Sequence, residues 1–175
     1  GVLQEQVFIN YDGQQGLAKA KGVDWIYEDE TPLKDHIREG EFRLHRGDVP
    51  MAAVGSGLAY SMGISPRFVS AIEIYYPSRT RKLSMANPLT SIEAVKVWPS
   101  SIFSINNDVD AELMILPIDK MRELLEYKDE VSEVEIRLAE GTSAKELRKL
   151  QKEISERLGP EFKVKDRYQQ NETLY

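Results

Sequence analysis

Ser132-Glu133-Val134-Glu135-Ile136-Arg137-Leu138 alternates strictly, with Val134, Ile136 and Leu138 on one side and Glu133, Glu135 and Arg137 on the other. A period of two with one apolar side is the pattern of a half-exposed strand. Gly141-Thr142-Ser143 then breaks it, and Ser143 followed by Glu146 has the form of a capping box opening a helix. On that helix Ala144, Leu147, Leu150, Ile154 and Leu158 recur at helical spacing, and Gly159-Pro160 supplies the stop. Phe162-Lys163-Val164-Lys165 alternates again, so residues 132–166 are expected to form a strand, helix, strand unit with parallel strands and a right-handed crossover.

Working upstream, Leu113-Met114-Ile115-Leu116 reads as a short apolar strand, and Pro117 suits the first position of a helix whose buried stripe is Ile118, Met121, Leu124 and Leu125. Strands with one polar face and helices gathered on the other predict an open-faced α+β sheet. The first 110 residues read mostly as β structure. Residues 4–11 and 17–23 flank the turn-rich Asp12-Gly13-Gln14-Gln15-Gly16 and are expected to pair as a hairpin. Thr31 caps a short helix begun by Pro32, with Leu33 and Ile37 facing inward and Gly40 at its end. Met51-Ala52-Ala53-Val54 is a buried strand leading through Gly55-Ser56-Gly57 into a second short helix over 58–62, stopped by Gly63. Residues 69–76, 94–98 and 102–105 are three further strands.

Composition excludes whole classes of chemistry. The 175 residues are 41% hydrophobic and 30% charged with a net charge of -6, as in a globular chain in water. No run approaches the roughly 18 consecutive apolar residues of a membrane-spanning helix. With no Cys there is no disulfide, thiolate nucleophile or Cys-based metal site. The 29 carboxylates against 23 Lys and Arg argue against a nucleic-acid partner. Gly1-Val2-Leu3-Gln4 opens no basic segment followed by an apolar run, so the expectation is a cytoplasmic protein or one whose targeting segment has been removed.

Few residues offer chemistry. Gly55-Ser56-Gly57, between a strand and a helix, has the placement of a phosphate-binding turn, but position 60 is Tyr where a dinucleotide fingerprint needs Gly, and no Lys-Ser/Thr pair makes it a P-loop. Val54-Gly55-Ser56-Gly57-Leu58 is one residue short of a nucleophile elbow. His36 and His45 are the two imidazoles suited to acid–base work, and both lie among charged neighbours that suggest solvated positions. Asn106-Asn107-Asp108-Val109-Asp110 clusters oxygen ligands of the kind calcium accepts but lacks the closing Gly and Glu of an EF-hand, which favours a plain turn. Arg79, Arg81 and Lys82 form a basic island with no acid between Glu73 and Glu93, a candidate contact for an acidic partner or anionic headgroups; charge reversal there is expected to weaken association without unfolding the domain. No catalytic residues, cofactor site or metal site are expected from this inventory.

Four stretches then read together. They are Lys21-Gly22-Val23-Asp24 with Pro32-Leu33-Lys34 and Glu39-Gly40-Glu41-Phe42; Ala52-Ala53-Val54-Gly55-Ser56-Gly57-Leu58-Ala59 with Met62-Gly63; Ile102-Phe103-Ser104 through Asp110 to Ile115-Leu116-Pro117-Ile118; and Val134-Glu135-Ile136-Arg137-Leu138 with Val164-Lys165-Asp166, Asn171 and Leu174. In this order they resemble the extracytoplasmic domain of ABC-transporter permeases of the MacB/LolC/LolE/FtsX type, over nearly the whole chain. The chain departs from that pattern at Ser101, commonly Gly, and over 64–68. The resemblance implies a two-lobed α+β fold, with a porter-like, membrane-proximal lobe from residues 1–23 and 111–175 and an inserted β-rich lobe from residues 24–110. It implies a non-catalytic role on the periplasmic side of a Gram-negative inner membrane, with Gly1 and Tyr175 lying between two membrane helices. Its partners would be a cytoplasmic ATPase subunit reached through those helices, a second permease copy or homologue, and a periplasmic chaperone or adaptor. Its cargo would be a lipoprotein, a peptide or a small toxic molecule. Two other readings stay open: a free-standing hydrolase using Ser56 with His36 or His45, and a small-molecule-binding regulatory domain.

Overall fold

The computed structural model describes residues 1–81 and 85–172. Its strands are β1 (Val2–Tyr11), β2 (Gln14–Val23), β3 (Ile37–Gly40), β4 (His45–Arg46), β5 (Val49–Gly55), β6 (Ile72–Pro77), β7 (Ile92–Phe103) and β8 (Leu113–Pro117). The α-helices are α1 (Trp25–Glu30), α2 (Ser56–Met62), α3 (Asn107–Asp110), α4 (Ile118–Leu125), α5 (Ala144–Leu158) and α6 (Arg167–Glu172), and Pro32–His36 is a 3-10 turn. Residues 1–135 form one compact unit and residues 136–175 a second.

In the first unit the strands run in the order β7-β6-β1-β2-β8-β5, and β5 pairs back onto β7, closing six strands into a barrel; β3 and β4 are appended at β7 and β5. The β2–β8 and β5–β7 pairs are parallel and the others in the ring antiparallel. This corrects the expected fold. The sheet is not an open-faced, porter-like α+β layer with helices on one face, because the β5–β7 pairing joins what would have been its two edges.

Side-chain alternation shows why the ring closes. Leu3, Val7, Ile9 and Tyr11 on β1, Ala18 and Ala20 on β2, Ile72 and Ile74 on β6, and Val95 and Val97 on β7 all point into one buried cluster. The small Ala18 and Ala20 leave room for the larger neighbours. On β5 and β8 both faces are covered: Ala52, Val54, Met114 and Leu116 join the interior, while Ala53 and Ile115 join a second cluster with Val2, Val23, Leu33, Phe42, Leu44 and Phe103. Burial on both faces explains why these two strands read as unbroken apolar runs.

Helices stop the two ends. Leu58, Ala59 and Met62 of α2, and Ile118, Met121, Leu124 and Leu125 of α4, belong to the interior cluster. Met62 sits against Gly16 at the start of β2, and Met121 against Gly22 near its other end. A Cβ on Gly22 would lie 2.6 Å from the Met121 Cγ, so the close approach of α4 needs glycine there.

The second unit is built on α5. The Ser143 hydroxyl accepts from the Glu146 amide at 3.3 Å, and the Glu146 carboxylate accepts from the Ser143 amide at 2.8 Å, completing the expected capping box. The Ser143 amide and then the Ser143 hydroxyl, which also donates to that carboxylate at 2.8 Å, hold the Glu146 carboxyl below its ordinary value. Gln151 donates to the Val164 carbonyl at 2.9 Å, fixing the returning segment, but no residue of α5 is buried. The strands expected over 132–138 and 162–165 do not form; Glu133 alone bridges, to Val2, and Val134 and Ile136 stand 66% and 59% exposed. Alternation names the apolar side of a strand but supplies no ladder partner.

Candidate functional site

The Gly55-Ser56-Gly57 turn is packed against α3. A Cβ on Gly55 would lie 2.5 Å from the Asp110 carbonyl oxygen, and one on Gly57 would lie 3.0 Å from the Ala111 Cα. These glycines serve close backbone approach, and α2 follows as a helix of 7 residues. Ser56 does not meet an imidazole: its hydroxyl makes two long bonds of 3.4 Å, to the Ser104 hydroxyl and the Asp110 carboxylate. Asp110, 3% exposed, also accepts from the Ile105 amide at 2.8 Å and the Ser104 hydroxyl at 3.1 Å. His36 and His45 are exposed, on the 3-10 turn and on β4.

The clustered acids of 106–110 also resolve into structure. Asn106 caps α3, its side chain accepting from the Val109 amide at 3.0 Å, and Asp110 turns inward to the bonds just described. Among the described residues no group of three or more His, Asp or Glu is placed to hold a metal ion.

The basic island is tied down where it is described. The Arg79 guanidinium lies 4.2 Å from the Tyr127 ring centre, and Arg81 pairs with Glu93. Lys82 and Leu174 lie outside the described residues.

Among the described residues, an apolar groove lies on the barrel's outer wall. Strand alternation that sends Val7, Ile9, Ala18 and Ile74 inward sends Phe8, Leu17 and Tyr75 outward. Register then lines them up, since Phe8 is opposite Leu17 on one side and Tyr75 on the other, and Tyr75 is opposite Ala94. Four strands at about 4.8 Å spacing make this apolar row roughly 14 Å long. Pro77 and its partner Ile92 extend it, and the resulting groove encloses about 480 Å³. Phe8 and Leu17 are 58% and 52% exposed and directly paired, so they form a contiguous apolar patch and not scattered surface residues.

The next row, Gln15, Asn10, Glu73 and Lys96, is polar, so the groove has one hydrogen-bonding flank. The Tyr75 hydroxyl donates to Glu73; that bond, then burial, raises the Tyr75 phenol above its ordinary value and keeps it a neutral donor. Such a surface holds an elongated apolar group by desolvation and orients it by its polar flank. Reading the chain as a sequence missed it. The signal was the opposite parity of Phe8 and Leu17 to the core residues of the same two strands.

No protein-family model matches this chain, and no curated protein matches its sequence. Among the described residues no helix is long and apolar enough to cross a membrane.

Proposed function

We propose that the chain is a non-catalytic binding domain, the extracytoplasmic part of an ABC-transporter permease of the MacB/LolC/LolE/FtsX type, which transmits ATP-driven movement to the release or export of a partly apolar cargo. The groove of Phe8, Leu17, Tyr75, Pro77 and Ile92 carries the binding part of this reading: it is the open apolar surface of the barrel wall, with dimensions that suit an acyl chain or a short run of aliphatic side chains. The permease part is supported by the resemblance of the four stretches named above, in their order along nearly the whole chain. It implies a cytoplasmic ATPase subunit, a second permease copy or homologue, and a periplasmic chaperone or adaptor as partners.

Two measurements test it. The gene should encode an apolar segment of about 20 residues on each side of these 175, and their absence on both sides overturns the permease assignment. On the protein itself, Phe8→Glu with Leu17→Glu should preserve the circular-dichroism spectrum and melting behaviour. It should also weaken binding of a fluorescent dodecanoyl probe by roughly tenfold or more, the scale of losing one buried side chain's transfer energy. Undiminished binding in a folded double variant removes the groove from the reading.

A further inference from the structure

We propose that the turn Ser78-Arg79-Thr80 is an oxyanion receptor whose resident occupant is Glu126, and that a carboxylate or phosphate group of an incoming ligand competes for it. Four donors from three consecutive residues converge on the Glu126 carboxylate. The amides of Arg79 and Thr80 donate at 2.7 and 3.2 Å, and the hydroxyls of Ser78 and Thr80 at 3.0 and 2.9 Å. The Ser78 hydroxyl is itself oriented by the Arg81 amide, from which it accepts at 3.1 Å. Successive amides and hydroxyls aimed at one point make an anion-binding concavity.

Everything local argues against a glutamate at position 126. Its φ of 57° lies in the left-handed region, where glycine or asparagine is the ordinary residue. It also ends α4, where the exposed carbonyls disfavour a negative charge. A residue opposed by backbone conformation and helix dipole alike is kept by what its carboxylate touches, which is the receptor.

Protonation is a poor way to release it. Burial opposes the charged form, but the Thr80 hydroxyl, the Arg79 amide, the Ser78 hydroxyl and the Thr80 amide outweigh it and hold the Glu126 carboxyl below the ordinary carboxylate range. A depressed value means the bonds are fully present above the unfolded value and lost only as pH falls through the lower, folded one. Arg79, which also faces Tyr76, Tyr127 and Glu130, adds positive charge beside the site. Exchange for another oxyanion is therefore the route by which the latch opens near neutrality. The receptor directly follows Pro77, and the Ser78 amide is bonded to the Ser91 carbonyl next to Ile92, so its release reaches the end of the groove.

The test is chemical rescue on the full chain. Glu126→Ala should melt a few degrees below the parent. Acetate or inorganic phosphate should then raise its Tm saturably, beyond chloride at matched ionic strength, and should move the Arg79 and Thr80 amide resonances. Adding Ser78→Ala and Thr80→Val, which removes two of the four donors, should weaken that response severalfold. Equal effects of chloride and the oxyanions on Glu126→Ala, or an unchanged response in the triple variant, overturn the proposal. If Glu126→Ala does not fold, Glu126→Gly, which suits the left-handed φ and also vacates the receptor, takes the same titration, and a flat response there overturns it equally. Neither probe occupies the groove, so failure here leaves the groove reading standing, and the converse.

Discussion

Asp110→Ala is expected to destabilise the barrel unit by about 2 kcal/mol, the scale of removing a buried charged acceptor from more than one donor. Asp110 is 3% exposed and accepts from the Ile105 amide and the Ser104 hydroxyl at 2.8 and 3.1 Å. Its removal leaves those donors facing a methyl group in place of a carboxylate. Ser56→Ala should cost well under 1 kcal/mol, since the Ser56 bonds are both long and the Asp110 carboxylate keeps shorter bonds from the Ile105 amide and the Ser104 hydroxyl. Urea denaturation measures both. A Ser56→Ala loss equal to that of Asp110→Ala contradicts this ranking, and loss of an ester- or phosphate-hydrolysing activity on Ser56→Ala would restore the hydrolase reading.

Gly55→Ala should cost about 3 kcal/mol or more, for a steric and not an electrostatic reason. The added Cβ would stand 2.5 Å from the Asp110 carbonyl oxygen and 2.8 Å from its Cα. Both are backbone atoms, and no rotamer change moves them. With φ at -61°, Gly55 is under no conformational demand, so contact alone sets the cost. Gly63→Ala is the control. There φ is 69° and nothing lies within 4 Å of the new Cβ, so the expected loss is about 1 kcal/mol of backbone strain. Because Gly55 and Asp110 meet at one junction, the double variant should lose less than the two single losses combined. Strict additivity in the midpoints would show that loosening the Asp110 side chain does not let its backbone yield to the new Cβ.

Local signals in the sequence were legible where local physics decides the outcome. The hairpin appears as β1 and β2 with its turn at Asp12-Gly13. The stripe Ile118, Met121, Leu124 and Leu125 is the buried face of α4, although Pro117 caps that helix from the end of β8 instead of sitting inside it. Gly63, in the left-handed region, ends α2 as expected, and the Thr31 side chain accepts from the Leu33 amide. Ile37 and Gly40, expected in the short helix, belong instead to β3, because the end of β7 offers them a ladder.

What failed was long-range. Residues 94–98 and 102–105 read as two strands, yet β7 is one strand that runs through Pro99 between them. A register shift opposite Ala52 and Ala53 absorbs the proline and flips the side-chain parity, so Val95 and Val97 face the interior while Phe103 faces the second cluster. That one bulge lets a single strand serve β6 along its first half and β5 along its second, which is how the ring closes. No periodicity within 92–103 announces a partner at 51–55. The groove was hidden for the same reason, since Phe8, Leu17 and Tyr75 become neighbours only through register. The basic island was legible as charge, but its ties to Tyr127 and Glu93 depend on the tertiary fold.

The parallel seam between β2 and β8 also dictates an order of events. β1 and β2 are adjacent in the chain and pair through a tight turn, so they meet within microseconds of collapse. The seam joins Lys19 to Leu113 and Val23 to Pro117, among the most distant pairings in the unit. Its loop-closure cost must be met before any contact rewards it, which places barrel closure late and makes the folding rate slow for a chain of this size. During translation, β2 leaves the ribosome with an unsatisfied edge that stays open until β8 has emerged. The interval between those two moments is when this chain is most exposed to mispairing with another copy of itself.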